Sequence, residues 1–238
     1  MGKDLKLKHW ILFEDDDFIV INKPPFIATL DDRNSRYNVN KLAKDYWPNA
    51  QMCHRLDKDT SGILLIAKHP EAYRHASIQF EKRKVGKTYH AVVEGSHEFK
   101  NEVVNAPLIT TGKGKVVVNQ RQGKDSETAF TSLGVYNKYS LIECRPVTGR
   151  THQIRVHLSG LNAPIVGDEL YGGKPFFLSS VKKKYNLKKD SEEKPLVQRF
   201  ALHAFKLELK GITGKAYAFE AEYPKDFRVL VQQLDKNS

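Results

Sequence analysis

Apolar positions along this chain come in short runs separated by charged turns. Residues 10–13 (WILF) and 18–21 (FIVI) flank the acidic turn Glu14–Asp17 and predict a hairpin or two consecutive strands. Asn22-Lys23-Pro24-Pro25 stops the second run, because proline cannot donate to a strand ladder. Residues 38–46 predict a short helix ended by Pro48. Gly62-Ile63-Leu64-Leu65-Ile66-Ala67 is almost continuously apolar, as in a strand buried on both faces. A helix is predicted over 70–84. Pro70 suits its first position, Tyr73, Ala76 and Phe80 line one face, Lys82 to Lys84 fill the last turn, and Gly86 lies beyond. Strands are expected at 88–93, 103–109, 115–119, 128–136 and 139–146, and again near 199–209 and 215–223. Residues 151–159 read as a helix with Ile154, Leu158 and Leu161 on one face and Gly160 as its stop. Many strands and few helices, without βαβ alternation, predict an α+β fold with a large mixed, mostly antiparallel sheet. The 238 residues contain no internal repeat and are expected to form a single domain.

Charge changes this picture. Lys and Arg total 39 against 28 Asp and Glu, a net +11, which favours polyanionic partners or simply solvated basic faces. Residues 174–199 hold eight Lys or Arg against three acids, 8 − 3 = +5, and read as an exposed basic insertion. No run approaches the roughly 20 apolar residues of a membrane span. The N-terminus lacks both a long apolar stretch and a small-residue cleavage site, and Lys6 stands where a myristoylation motif after Gly2 needs Ser or Thr. Cys53 and Cys144 form no metal-spaced pair or disulfide framework; as free thiols they suit a reducing, cytoplasmic compartment.

Two segments concentrate chemistry. His54-Arg55-Leu56-Asp57-Lys58-Asp59-Thr60-Ser61-Gly62 leads into the buried run 63–67. A carboxylate at the mouth of a core strand stands on a rigid base, as a catalytic group requires. Read alone, the same residues also fit a surface Arg–Asp pair contributing about 0–1 kcal/mol. The second segment, Pro146 to Leu158, places Arg150, His152, Gln153, Arg155 and His157 around a helix start, where anions are favoured. A phosphate backbone fits there; so does a plain polar face. His152 and His157 are five apart, whereas a helical zinc pair needs four, so no metal site is expected.

Together these segments resemble the RluA-type RNA pseudouridine synthases. That family's signature is HRLD, two variable residues, TSG and an aliphatic strand ending in Ala-Lys; here it runs from His54 to Lys68. Asn22-Lys23-Pro24, Lys87 to Gly95, Thr148 to His157, Pro164 to Asp168 with Tyr171-Gly172, and Leu202-His203-Ala204 resemble further blocks in the family order. The resemblance covers about residues 10–223 and implies the pseudouridine synthase catalytic fold. One departure is clear. After Asn-Lys-Pro the family commonly continues through Gly to Val-His, whereas this chain has Pro25-Phe26-Ile27-Ala28-Thr29-Leu30. The S4-like RNA-binding domain of some relatives is not expected before Trp10.

The resemblance implies isomerisation of uridine to pseudouridine in structured ribosomal or transfer RNA by a monomer needing no cofactor and no metal. It makes Asp57 the essential carboxylate, attacking C1′ or removing the C2′ proton. It makes Arg155 that carboxylate's partner, and Tyr89 the residue that stacks on the base and assists proton removal from C5. The target base must be flipped out, at a few kcal/mol, and Arg55 fills the gap it leaves. RNA contacts are expected from His54, Arg55, Arg150, His152, Gln153 and Lys23. Two alternatives stand beside this reading. A non-catalytic RNA-binding protein on the same scaffold predicts loss of the acid or its partner, yet Asp57 and Arg155 are both present. A hydrolase pairing Asp57 with Asp59 lacks a second acid in a matching context.

Overall fold

The computed structural model describes residues 5–31, 37–112, 114–182, 185–186 and 192–237. The reading of residues 1–4 and the centre of the 174–199 insertion lie outside these. The elements in chain order are β1 (Ile11–Glu14), β2 (Phe18–Lys23), α1 (Val39–Tyr46), β3 (Gln51–Met52), β4 (Ser61–Ala67), α2 (Pro70–Glu81) and β5 (Gly86–Glu94). They continue with β6 (Glu102–Asn105), β7 (Leu108–Thr110), β8 (Val116–Val118), β9 (Glu127–Val135) and β10 (Tyr139–Pro146). The last are α3 (Gln153–Gly160), β11 (Leu202–Lys210), β12 (Ala216–Glu220) and α4 (Lys225–Asn237). The fold is α+β and mostly antiparallel, as expected. No described helix is long and apolar enough to cross a membrane.

The chain divides into two compact units, residues 1–88 with 204–222 and residues 89–203 with 223–238. In the first, strands run in the order β1-β2-β4-β11, with β3 also on β4 and β12 on β11. The β1–β2 turn is closed by Asp15, whose Oδ1 accepts from the backbone N–H of Asp17 and Phe18. All seven residues of β4 are buried, as its apolar run predicts. Gly62 in β4 has φ +112°, and a Cβ there would stand 2.1 Å from the Ala204 carbonyl oxygen, so only glycine lets β11 approach. Val20, Ile63, Leu65, Ala72, Ala76 and Leu207 pack into one apolar cluster that seats α2 on the sheet.

In the second unit the order is β5-β10-β9-β6, and β7 and β8 form a separate two-stranded sheet. Its core joins Val92, Phe130 and Ile142 of the sheet to Ile154 and Leu158 of α3 and to Phe227, Leu230 and Leu234 of α4.

Several expected elements change in detail. The strand expected over 103–109 breaks at Pro107 into β6 and β7, since proline has no N–H for a ladder. The 70–84 helix stops at Glu81. Arg83 turns left-handed (φ 56°) and Lys84 N–H returns to the Gln79 carbonyl, a 6→1 closure, so Gly86 is left to start β5. The 151–159 helix starts two residues late, because His152 is itself left-handed (φ 53°). It runs through Gly160 and ends before Asn162, another left-handed residue (φ 56°). The amphipathic α4 was not expected at all. The basic insertion is not exposed throughout: Phe176 and Val197 are core residues. Arg199 is buried, with its Nε 2.8 Å from Asp226 Oδ2 on α4.

Candidate active site

The signature segment occupies the loop that feeds β4, in the first unit. Asp57 opens a tight turn in which the Thr60 N–H donates to the Asp57 carbonyl (3.1 Å). Leu56 is buried beneath it, whereas Arg55 and Lys58 are exposed and Asp57 is half-buried. A basic, solvent-facing pair thus brackets a carboxylate on an anchored turn.

The anchoring comes from residues distant in sequence. Lys23, expected to contact RNA, has no exposed surface. Its ammonium donates to the carbonyls of Pro24 (3.0 Å), Ile27 (3.0 Å) and Lys58 (3.1 Å). A lysine whose three donors reach backbone carbonyls pins the loop to the signature turn. His54 points inward too. Its Nε2 accepts the Leu65 N–H at 3.0 Å, and its ring lies 5.0 Å from that of Phe80. This geometry requires a neutral imidazole, and burial, with the nearby Lys87 charge, pulls its pKa down to about 3. His54 therefore fastens the loop to β4.

This predicts an acid dependence. The unfolded chain takes up the His54 proton near pH 6.5 and the folded chain only near 3, so stability is lost as pH falls through that window. His54→Gln should lose stability less steeply than wild type between pH 6.5 and 4, by up to about 1.4 kcal/mol per pH unit. Urea unfolding at each pH reads this; equal slopes would refute it.

In the second unit, Tyr89 on β5 is half-buried beside the core cluster, and on the strand it pairs with Cys144 of β10. Its neighbour His90 faces the other way, with Nδ1 2.5 Å from the Tyr223 hydroxyl; burial lowers its pKa to about 4. Burial raises the Cys53 pKa to about 12 and holds Cys144 well above its ordinary value, which disfavours the thiolate at both.

The turn before α3 is built by Gln153. Its Oε1 accepts from the Thr148 hydroxyl (2.7 Å) and the Arg150 N–H (2.9 Å). Its Nε2 donates to the Glu127 carbonyl (2.8 Å) and the Thr128 hydroxyl (2.9 Å). With both acceptor and both donor positions filled, this buried amide, expected to contact RNA, shapes the turn. His157 continues the network inward to Ser126 and Thr128 (3.0 Å each). Arg150 is exposed, its Nε donating to the Asp125 carbonyl (3.0 Å). His152 is half-buried, with Nδ1 2.8 Å from the Tyr171 hydroxyl. That hydroxyl also accepts the Val116 N–H (3.0 Å), which ties the β7–β8 hairpin to the turn.

Arg155 is buried on α3. Its Nε and Nη2 donate to the two carboxylate oxygens of Asp168 (2.7 and 2.8 Å), and its guanidinium lies 4.9 Å from the Tyr171 ring and 4.2 Å from the Phe200 ring. A bidentate carboxylate and two flanking rings hold the fork in one orientation. Asp168, Tyr171 and Thr29 are the site-building residues that sequence reasoning passed over. The first two lie in matched blocks; nothing in the sequence marks the third.

With this geometry in view, the comparisons place the chain. Residues 17–160 match the model of the RNA pseudouridylate synthase family. The chain belongs to that family. Ribosomal large subunit pseudouridine synthase C of Vibrio cholerae is 38% identical over 74% of this chain, which spans 57% of that protein's length. The Haemophilus influenzae protein of the same name is 36% identical, covering 98% of this chain and 71% of that one. Among solved structures, human RNA pseudouridylate synthase domain containing 4 superposes with a TM-score of 0.76 at 26% identity, covering 96% of this chain and 94% of that one.

Proposed function

We propose that this chain isomerises uridine to pseudouridine within structured RNA, with the Asp57 carboxylate opening the glycosidic bond. The observation that carries this is the His54–Lys68 signature on an anchored turn above a wholly buried strand, in a member of the synthase family. The N1–C1′ bond breaks, the base turns, and C5 bonds C1′. The C5 proton leaves and N1 gains one, so neither redox cofactor nor group donor enters the balance. Asp57 acts as nucleophile on C1′ or as base at C2′. Arg155 supplies the fixed positive charge, and Tyr89 supplies the ring for the base. Arg55, exposed beside Asp57, replaces the flipped base in its stack.

Exposed Arg150 and half-buried His152 are the RNA contacts retained at the α3 turn. The net +11 attracts phosphate without regard to sequence. Residues 1–238 are taken as a single catalytic domain with its core at about 10–223, and the lysines of 174–199 add charge toward RNA. Large-subunit ribosomal RNA stands first among the proposed substrates, ahead of transfer RNA, a reading that the names of the two bacterial relatives support, and the proposed compartment is the cytoplasm.

The test is carbodiimide mapping of pseudouridines in total RNA from cells with and without this gene. A site lost on deletion and restored by the wild-type gene supports the proposal and identifies the substrate. Release of free uracil from RNA by the purified protein would point instead to hydrolysis.

A further inference from the structure

The loop that departs from the family pattern, Pro25 to Leu30, has a task of its own at the Asp57 turn. It bends through the left-handed region at Phe26 (φ 68°), a conformation that favours glycine, and returns across the Leu56 backbone. There the buried Thr29 hydroxyl donates to the Leu56 carbonyl (2.7 Å) and accepts the Leu56 N–H (3.0 Å). One side chain thus holds both peptide planes on either side of Leu56 Cα, and the second of those planes ends at Asp57. Thr29 is itself fixed from behind. Its carbonyl accepts the Asn40 N–H (3.0 Å) and the Ala28 carbonyl accepts the Val39 N–H (2.9 Å), both in the first turn of α1. Asn38 caps that helix and donates to Asp31 (2.9 Å). A continuous chain of hydrogen bonds therefore runs from the α1 N-terminus through Thr29 to the peptide carrying Asp57.

We propose that Thr29 is a positioning residue for Asp57, fixing the height and direction of its carboxylate. This rests on the reading of Asp57 given above. The hydroxyl touches no reacting atom; its effect passes through the Leu56–Asp57 peptide. A carboxylate displaced by about 1 Å costs on the order of 100-fold in rate. A change in RNA affinity is not expected, because Thr29 is buried and uncharged.

The experiment uses Thr29→Val, which keeps the shape and removes both hydrogen bonds, and Thr29→Ser, which restores them. Single-turnover rates are measured with enzyme in excess, as tritium released from uridine C5-labelled RNA of cells lacking this gene. With folded enzyme saturating and in excess, the rate constant does not depend on the folded fraction, and its independence of a further rise in enzyme concentration checks this, so misplacement and instability separate. Thr29→Val should lower the rate constant about 10- to 100-fold with RNA affinity unchanged, and Thr29→Ser should recover it to within about threefold. Amide hydrogen exchange at Leu56 should accelerate in Thr29→Val and not in Thr29→Ser. An unchanged Thr29→Val rate constant, or a loss that Thr29→Ser does not rescue, overturns the proposal. Wild-type protein that releases no tritium overturns the functional reading instead, and exchange at Leu56 still decides whether the clamp exists.

Discussion

Asp57→Asn is expected to reduce pseudouridine formation by on the order of 10⁴-fold or more while RNA affinity stays within about threefold. The substitution changes one oxygen to an amide nitrogen and keeps the volume. The turn that carries it depends on the Asp57 backbone carbonyl and the Thr60 N–H, and asparagine is well suited to such turns. The amide has neither the negative charge to attack C1′ nor the basicity to take a proton from C2′, so both chemical routes close together. Binding survives because the phosphate attraction is spread over a chain with net charge +11, to which this change adds one further positive unit. Tritium release and filter binding with the same labelled RNA separate the two quantities. A variant with a tenth of wild-type turnover would remove Asp57 from its assigned role. A variant that no longer binds would make the carboxylate a recognition group.

The parts of this site legible in the sequence are those where one residue type and one spacing serve one purpose. The apolar run 63–67 demanded a strand buried on both faces, and β4 is that strand. The charged residues before it had to lie at its mouth. Pro70 and the spacing of Tyr73, Ala76 and Phe80 located α2, but its end came from a left-handed arginine rather than glycine, which no pattern announces. Other parts are less legible. Lys23 and Gln153 are polar residues in matched blocks, for which RNA contact is the natural expectation, and each satisfies backbone groups that the fold leaves without a ladder partner. Buried polar side chains that close irregular loops resemble binding residues in a sequence, because both are strongly polar within apolar surroundings. Thr29 was invisible because its partner, Leu56, is 27 positions away and is engaged through backbone alone. The helix α4 shows its apolar stripe at Phe227, Leu230 and Leu234 and a proline just before it, so its periodicity is present in the sequence.

Asp168→Ala is expected to destabilise the second unit by about 3–5 kcal/mol, because it takes a bidentate carboxylate away from the buried Arg155 guanidinium. Both side chains are almost wholly removed from solvent, with residue exposures of 6% and 2%, so water cannot replace the lost partner. The Tyr171 and Phe200 rings remain over the guanidinium, but each such contact contributes about 0.5–2 kcal/mol and offers no acceptor for its N–H groups. Removing both charges is a different matter. The double variant Asp168→Leu with Arg155→Met fills similar volume without charge, and buried pairs replaced in this way are often neutral or stabilised by about 1–4 kcal/mol. The two variants therefore divide stability from chemistry. Asp168→Ala should lose both, whereas the double variant should regain a wild-type urea midpoint and stay inactive. A double variant that turns over RNA would show that Arg155 serves the fold alone. A loss below about 1 kcal/mol in Asp168→Ala would show that the guanidinium finds another partner, and the orientation ascribed to Asp168 would then belong to the rings.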